Sequence, residues 1–260
     1  MLKNRSDFLP DSLADSLHGA LAASGPNSTT PSGLAARKLL AVGAFLACSL
    51  LSGVALAGSY DDALSAAKMG DAQTLSSLLK RGIDPDTVDA QGNTLLIMAA
   101  REGQTVAVEA LLKYRVRIDY RNPAGDSALM LAVLRGYDET AQALLKGGAT
   151  VNHEGWAPLH YAAFEGRESI LDALFAAGAD VNIKAPNLAT PLMLAARNGH
   201  AAVVRRLLAL PATDLNALND AGLSADVWAL QNGNTDAAEL IQAERKRRGL
   251  PAPAIRVTIE

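Results

Sequence analysis

The feature that most constrains this chain is a glycine that returns at a nearly fixed interval. It stands at Gly70, Gly103, Gly136, Gly166, Gly199 and Gly233, with spacings of 33, 33, 30, 33 and 34 residues. A pair of bulky apolar residues follows each one about eight positions later: Leu78-Leu79, Leu111-Leu112, Leu144-Leu145, Leu174-Phe175, Leu207-Leu208 and Leu240-Ile241. Two independent markers kept in phase through six units define an internal repeat, and a repeat of this length means a stacked architecture.

Each unit resolves into the same parts. A turn leads into a short helix, as in Thr190 to Asn198 (TPLMLAARN), which Gly199 breaks before a second helix over Ala201 to Leu210. The small Ala195-Ala196 pair lets neighbouring helices approach closely, and the leucine pair fills the space between units. In Gly178-Ala179-Asp180-Val181-Asn182 the glycine supplies a left-handed helix terminus, and Asp and Asn favour the tight turn that follows. One such unit cannot bury its own apolar face, whereas six stacked units share a continuous core. The chain is 49 % hydrophobic but only 4 % aromatic. Its apolar content is mainly Ala, Leu and Val, which suits close-packed helices better than β-sandwiches.

The stretch APLHYAAFEG (157–166) resembles the ankyrin signature T-P-L-H-x-A-A-x-x-G, and TPLMLAARNGH (190–200) resembles it again with Met193 in place of the usual His. GADVN (178–182) is similar to the turn that ends an ankyrin repeat. The resemblance covers about residues 58 to 244 and implies an all-α solenoid of six helix-turn-helix units joined by short hairpin loops. The units are placed at 58–90, 91–123, 124–153, 154–186, 187–218 and 219–248, with a tail at 249–260. The first and last depart from the signature as capping repeats do, the last having Asp226 where an inter-helix Leu belongs. Three residues are missing between Val151 and Trp156, so that hairpin is shortened. Extra residues at Leu210-Pro211-Ala212 lengthen either the second helix of the fifth unit or its loop.

Ahead of the repeats, Leu39 to Ala57 runs without a charge, preceded by Arg37-Lys38 and followed by Asp61-Asp62. With Ala55-Leu56-Ala57 at its end, this is the layout of a secretory signal with an A-x-A site, and cleavage is expected after Ala57. The expected location is then the periplasm. Residues 1–36 read as a disordered extension that is long for such a signal. Either translation begins after Met1, or the segment at 37–57 is a retained anchor that holds the repeats outside the cytoplasm at the inner membrane. Membrane contact is expected only in that second case. Cys48, the single cysteine, excludes an intrachain disulfide and a multi-thiolate zinc site.

In ankyrin stacks partners lie along the hairpin tips and the exposed face of each first helix. Carried over position by position, the resemblance places the two residues before each closing glycine on the concave groove, and one hairpin residue beside them. The candidate partner-binding residues are Arg101, Glu102, Asp126, Arg135, Trp156, Phe164, Glu165, Arg197 and Asn198. Leu134, Gln231 and Asn232 occupy equivalent groove positions, and Asn93 and Ala189 equivalent hairpin positions. Trp156 and Phe164 are expected to form a central hot spot rimmed by Arg135, Glu165 and Arg197. Alternatively, Trp156 folds over the truncated hairpin and plugs the gap. Trp228, in the final cap, is expected to pack inward.

The resemblance gives His160 and His200 structural roles, His160 bonding the hairpin backbone, while His153 in the shortened hairpin reads as solvated. No histidine has a partner at metal-ligand spacing on a helix face. The cations of Arg245-Lys246-Arg247-Arg248 complement the dipole at the end of the last helix. A net charge of −3 leaves no basic excess for nucleic acid. No phosphate loop, nucleophile elbow or carboxylate pair is present, so neither an enzyme, a cofactor nor a small-molecule substrate is expected. The expectation is a monomeric, non-catalytic module that binds a protein partner. A membrane-anchored scaffold or a secreted effector acting on host proteins are the alternatives.

Overall fold

A computed structural model describes residues 58–251. The extension, the apolar segment with its expected cleavage site, and the tail beyond Pro251 lie outside the described residues. The chain opens in α1 (58–69) and continues through α2 (Ala72–Lys80), α3 (Leu95–Arg101), α4 (Thr105–Leu111), α5 (Ala128–Arg135) and α6 (Asp138–Lys146). Then come α7 (Pro158–Glu165), a 3-10 turn (Glu168–Ile170) running into α8 (Leu171–Ala176), α9 (Pro191–Arg197), α10 (Ala201–Leu208), α11 (Ala225–Gln231) and α12 (Thr235–Arg247). Among the described residues there is no strand, only an isolated antiparallel bridge between Val88 and Thr94 in a hairpin. The fold is an all-α solenoid.

Local chemistry sets these boundaries. The hydroxyls of Thr94, Ser127 and Thr190 accept the N–H three residues on and start α3, α5 and α9. Pro158 and Pro191 occupy first positions, where the missing N–H costs nothing. The extra residues at 210–212 fall in a loop, because α10 already ends at Leu208. Thr213 Oγ1 donates to Leu207 O, and this bond turns the chain away from the helix end.

Each first helix (α3, α5, α7, α9, α11) packs on the first helices of its neighbours and on its own second helix, and the second helices make a parallel row. The two rows are buried differently. First helices are covered on nearly every side, and Leu95 to Ala100 and Leu192 to Ala196 are all buried. Second helices keep one wet face: α10 buries Val203, Val204, Leu207 and Leu208 while Ala202, Arg205 and Arg206 stay exposed. A single apolar cluster runs from Ala63 to Ile241.

Two polar ladders join the units. In the first, the side chain just after a closing glycine reaches back to a carbonyl of the preceding first helix. Gln104 Nε2 donates to Lys68 O (3.3 Å), Arg167 Nη2 to Leu134 O (3.0 Å), His200 Nε2 to Phe164 O (2.8 Å) and Asn234 Nδ2 to Arg197 O. These acceptors are the C-terminal carbonyls that a helix leaves without an internal partner. In the second ladder, Asn152 Oδ1 accepts Asp180 N–H and its Nδ2 donates to Gly178 O (2.8 and 2.9 Å). Asn182 does the same to Asp214 and Ala212, and Asp119 accepts from Thr150.

At the last unit, arginines stand in for a following repeat. Arg245, only 4 % exposed, donates to Leu215 O, Asn216 Oδ1 and Pro251 O. Arg248 donates through both terminal nitrogens to the carbonyls of Leu208, Leu210, Pro211 and Thr213, and through Nε to Glu244. Two members of the basic run, which stands in the last turn where cations complement the helix dipole, thus also clamp the neighbouring unit.

The first ladder explains why glycine closes these helices. Gly166 has φ +71°, and a Cβ on it would meet His200 Nδ1 at 2.6 Å; Gly178 has φ +85° but open space around it. Gly178→Ala is expected to cost the left-handed backbone alone, about 1–2 kcal/mol. Gly166→Ala also displaces the His200 bond, for about 1 kcal/mol more. Thermal melts of the two variants check the order.

Candidate functional site

The groove positions before the closing glycines separate into two kinds. Arg135 is exposed; Arg101, Glu102, Glu165, Arg197 and Asn198 are half-buried at the ends of α3, α7 and α9. Arg101 Nε pairs with Glu102 Oε1 at 3.2 Å, a partly exposed contact of little energetic weight. The guanidinium of Arg197 lies 5.2 Å from the ring centre of Trp228, which packs inward at 5 % exposure. Asn198 Nδ2 donates to Phe164 O at 2.7 Å, a second bond from the fifth unit to the same carbonyl that His200 holds.

Phe164 corrects the expectation of an exposed aromatic pair. It is 3 % exposed and belongs to the core cluster, and Leu134 at the equivalent position is 7 % exposed. Apolar side chains in this column fold down onto their neighbours, whereas Arg101 stays part-exposed and Arg197 lays its guanidinium over Trp228 with Nη1 shielded from water. Asp126, expected at a hairpin tip open to a partner, is also buried, at 1 %, as are the equivalent Asn93 and Ala189.

The shortened hairpin accounts for Asp126. In the preceding hairpin, Asn93 Oδ1 accepts a bond from Asn122 Nδ2 (2.9 Å) of the next hairpin. The residue that would play that part toward Asp126 is among the three missing ones. Tyr161 takes over one carboxylate oxygen, its hydroxyl donating at 2.6 Å, while Asp126 Oδ2 has no hydrogen-bond partner. Burial, with the Asp126 carboxylate beside it, pushes the Tyr161 hydroxyl far above its usual range. Arg121 then bridges the gap, donating to the carbonyls of Gly125, Glu154 and Trp156.

Trp156 sits in the space this leaves. It is half-buried, edge-on to His160 (ring centres 5.7 Å apart, 79°) and tilted against Tyr161 (6.0 Å, 54°). The plugging role is therefore real, and only part of the ring remains for a partner. His153 is not solvated as expected: it is half-buried, Nε2 has no hydrogen-bond partner, and desolvation and the Arg121 charge push its pKa down. Among the described residues no group of three His, Cys, Asp or Glu is placed to hold a metal.

His160 has the backbone role that the family resemblance implied. Its Nδ1 accepts Ala157 N–H at 3.0 Å, the half of the cap that the sulfurs of Met130 and Met193 make to Ser127 and Thr190, while Ala157 has no hydroxyl for the other half. The proton therefore sits on Nε2, which donates to Ile183 O at 3.0 Å. Burial holds the ring neutral, its pKa lowered from 6.5 to about 4 against the opposing pull of the Ile183 bond.

Leu188 went unread in the sequence. It stands where four other hairpins have Gly92, Gly125, Gly155 and Gly222, and it shares their left-handed backbone at φ +58°. A leucine in that conformation carries about 1–2 kcal/mol of strain, and its side chain is 45 % exposed. The signal for it is in the sequence: the hairpin glycines recur in register, and Leu188 breaks their column.

The family model described as ankyrin repeats (3 copies) matches residues 63–154, 117–185 and 159–247. Among curated relatives, the chain is 33 % identical over 88 residues to Rabankyrin-5 of Mus musculus, covering 34 % of this chain and 8 % of that protein. It is 33 % identical over 81 residues to Alpha-latrotoxin-Lh1a of Latrodectus hasselti, covering 31 % of this chain and 6 % of that one. The matches span less than a tenth of the length of each of these relatives.

The neutral His160 gives a pH signature. Between pH 6.5 and about 4 the unfolded chain binds a proton that the fold refuses. Stability is therefore untouched by this group above 6.5, and falls by about 3 kcal/mol in all as the pH drops through that window. His160→Met, the residue at Met130 and Met193 in flanking units, is expected to flatten this part of the profile. Denaturant titrations of both proteins from pH 7 to pH 4 measure the difference.

Proposed function

We propose, on the premise that this chain belongs to the ankyrin-repeat family, that it is a non-catalytic module holding a protein partner against the groove at the ends of its first helices. Ankyrin repeats are generally protein–protein interaction modules. What carries the reading here is a division of side chains: beneath the groove one apolar cluster is sealed from water, while Arg101, Glu102, Arg135, Glu165, Arg197 and Asn198 keep access to it. Asn198 also ties down the Phe164 carbonyl, so one residue both stiffens the groove and lines it. A surface so held loses little conformational freedom when a partner docks.

The module works on the periplasmic side of a bacterial membrane. Arg37-Lys38, the uncharged run to Ala57 and the Ala55-Leu56-Ala57 site support that placement. The same run supports a second reading, in which it stays as an anchor and the repeats stand at the membrane surface.

Pull-down from a periplasmic fraction tests the groove, with an Arg135→Glu, Glu165→Lys double variant as control. Neither residue belongs to the core, so the variant is expected to fold as the wild type by circular dichroism and to lose the captured partner. Full retention of the partner by the folded variant overturns the groove assignment. N-terminal sequencing of the mature protein is expected to begin at Gly58; a chain that still carries 39–57 selects the anchored form.

A further inference from the structure

The hairpin edge of the last three units offers a second surface, distinct from the groove. Leu188 is held in a strained left-handed conformation at a hairpin tip, yet it is 45 % exposed, so burial within this chain does not offset the strain. The next tip is tied to it, Asp220 N–H donating to Asn187 O at 3.0 Å, and carries Leu218 at 47 % exposure. Pro186 is exposed on the first of these tips and lies against the Gly155 turn of the shortened hairpin. The result is an apolar strip over adjoining hairpins, held out by backbone bonds.

Charge singles out what fits there. The hairpin segments 84–93, 117–126, 150–156, 180–189 and 214–223 carry nine carboxylates against three basic side chains, while the other described residues have a slight basic excess. On hairpins 150–156, 180–189 and 214–223, Glu154, Asp180, Asp214 and Asp220 are exposed and Lys184 is the one base. Exposed apolar side chains on hairpins with a negative excess suit a partner that is apolar and of the opposite charge.

We infer that Leu188 and Leu218 anchor a segment of the partner protein that presents apolar side chains between lysines or arginines. The inference rests on the protein-binding reading above and adds a second contact to it. Strain at Leu188 is the cost of keeping an apolar anchor at a position that folding alone would fill with glycine.

The test uses the purified full chain and a fluorescein-labelled octapeptide of two leucines set among lysines, read by fluorescence anisotropy. Control peptides replace its lysines by glutamates or its leucines by serines. The leucine–lysine peptide is expected to bind, more weakly as salt is raised, and neither control to match it. Leu188→Gly and Leu218→Ser are each expected to weaken binding about tenfold, and Leu188→Gly to melt above the wild type because the strain is gone. The inference is overturned if the peptide does not bind, if the serine control binds equally, if the leucine variants bind unchanged, or if Leu188→Gly melts lower. Self-association of the full chain that Leu188→Gly abolishes, seen by sedimentation, also overturns it, by making a second copy the occupant. Binding abolished by the Arg135→Glu, Glu165→Lys variant but not by the leucine variants leaves the groove reading standing and removes this one.

Discussion

The structure depends on how one unit finishes the hydrogen bonding of the one before it. A helix of seven or eight residues leaves a large share of its carbonyls without internal partners, and first helices of that length recur through the stack. Gln104, Arg167, His200 and Asn234 each meet one such carbonyl from the next unit. The donor differs in length and chemistry each time, while the acceptor's place does not. It is the gap over a glycine that is repeated, and any side chain able to lay a polar N–H there will serve. Cooperativity between units then has a polar component beside the apolar one, because losing a neighbour strips a helix end as well as a hydrophobic face.

Much of this is legible in the sequence because it is periodic. Gly166 and Gly199 announce the helix breaks, Thr190 and Pro191 the helix start, and Ala195-Ala196 the close approach. What escapes is whatever depends on two units at once. Phe164 looks like a surface residue when its own repeat is read alone; its burial comes from neighbours on both sides. Asp126 looks like a tip residue for the same reason, and only the loss of its counterpart in the next hairpin shows why Tyr161 must reach it. Leu188 is the opposite case, a departure visible in a single column of the repeat, the one where the other hairpins carry glycine.

The three-residue deletion shows how a solenoid absorbs damage. Removing one hairpin's share of the polar ladder leaves one oxygen of a buried carboxylate and a histidine nitrogen without hydrogen-bond partners, a costly arrangement in a low-dielectric interior. Arg121 supplies bonds to three carbonyls across the gap, and Trp156 fills the space with a flat ring. Repair draws on the unit before and the unit after. An architecture whose contacts run between neighbours confines such a repair to the adjoining units.

The arginine clamp on the sixth unit gives the stack a polarity of growth. Arg245 and Arg248 occupy acceptors on Leu208, Leu210, Leu215 and Asn216, among them the place a following hairpin would take up. A copied repeat inserted between two inner units meets vacant donors and acceptors on both its faces and simply lengthens the row. The same copy added after the sixth must first evict two guanidinium groups that already have partners. A lineage that varied the number of repeats in this protein would therefore do so from within, with its last unit carried along unchanged.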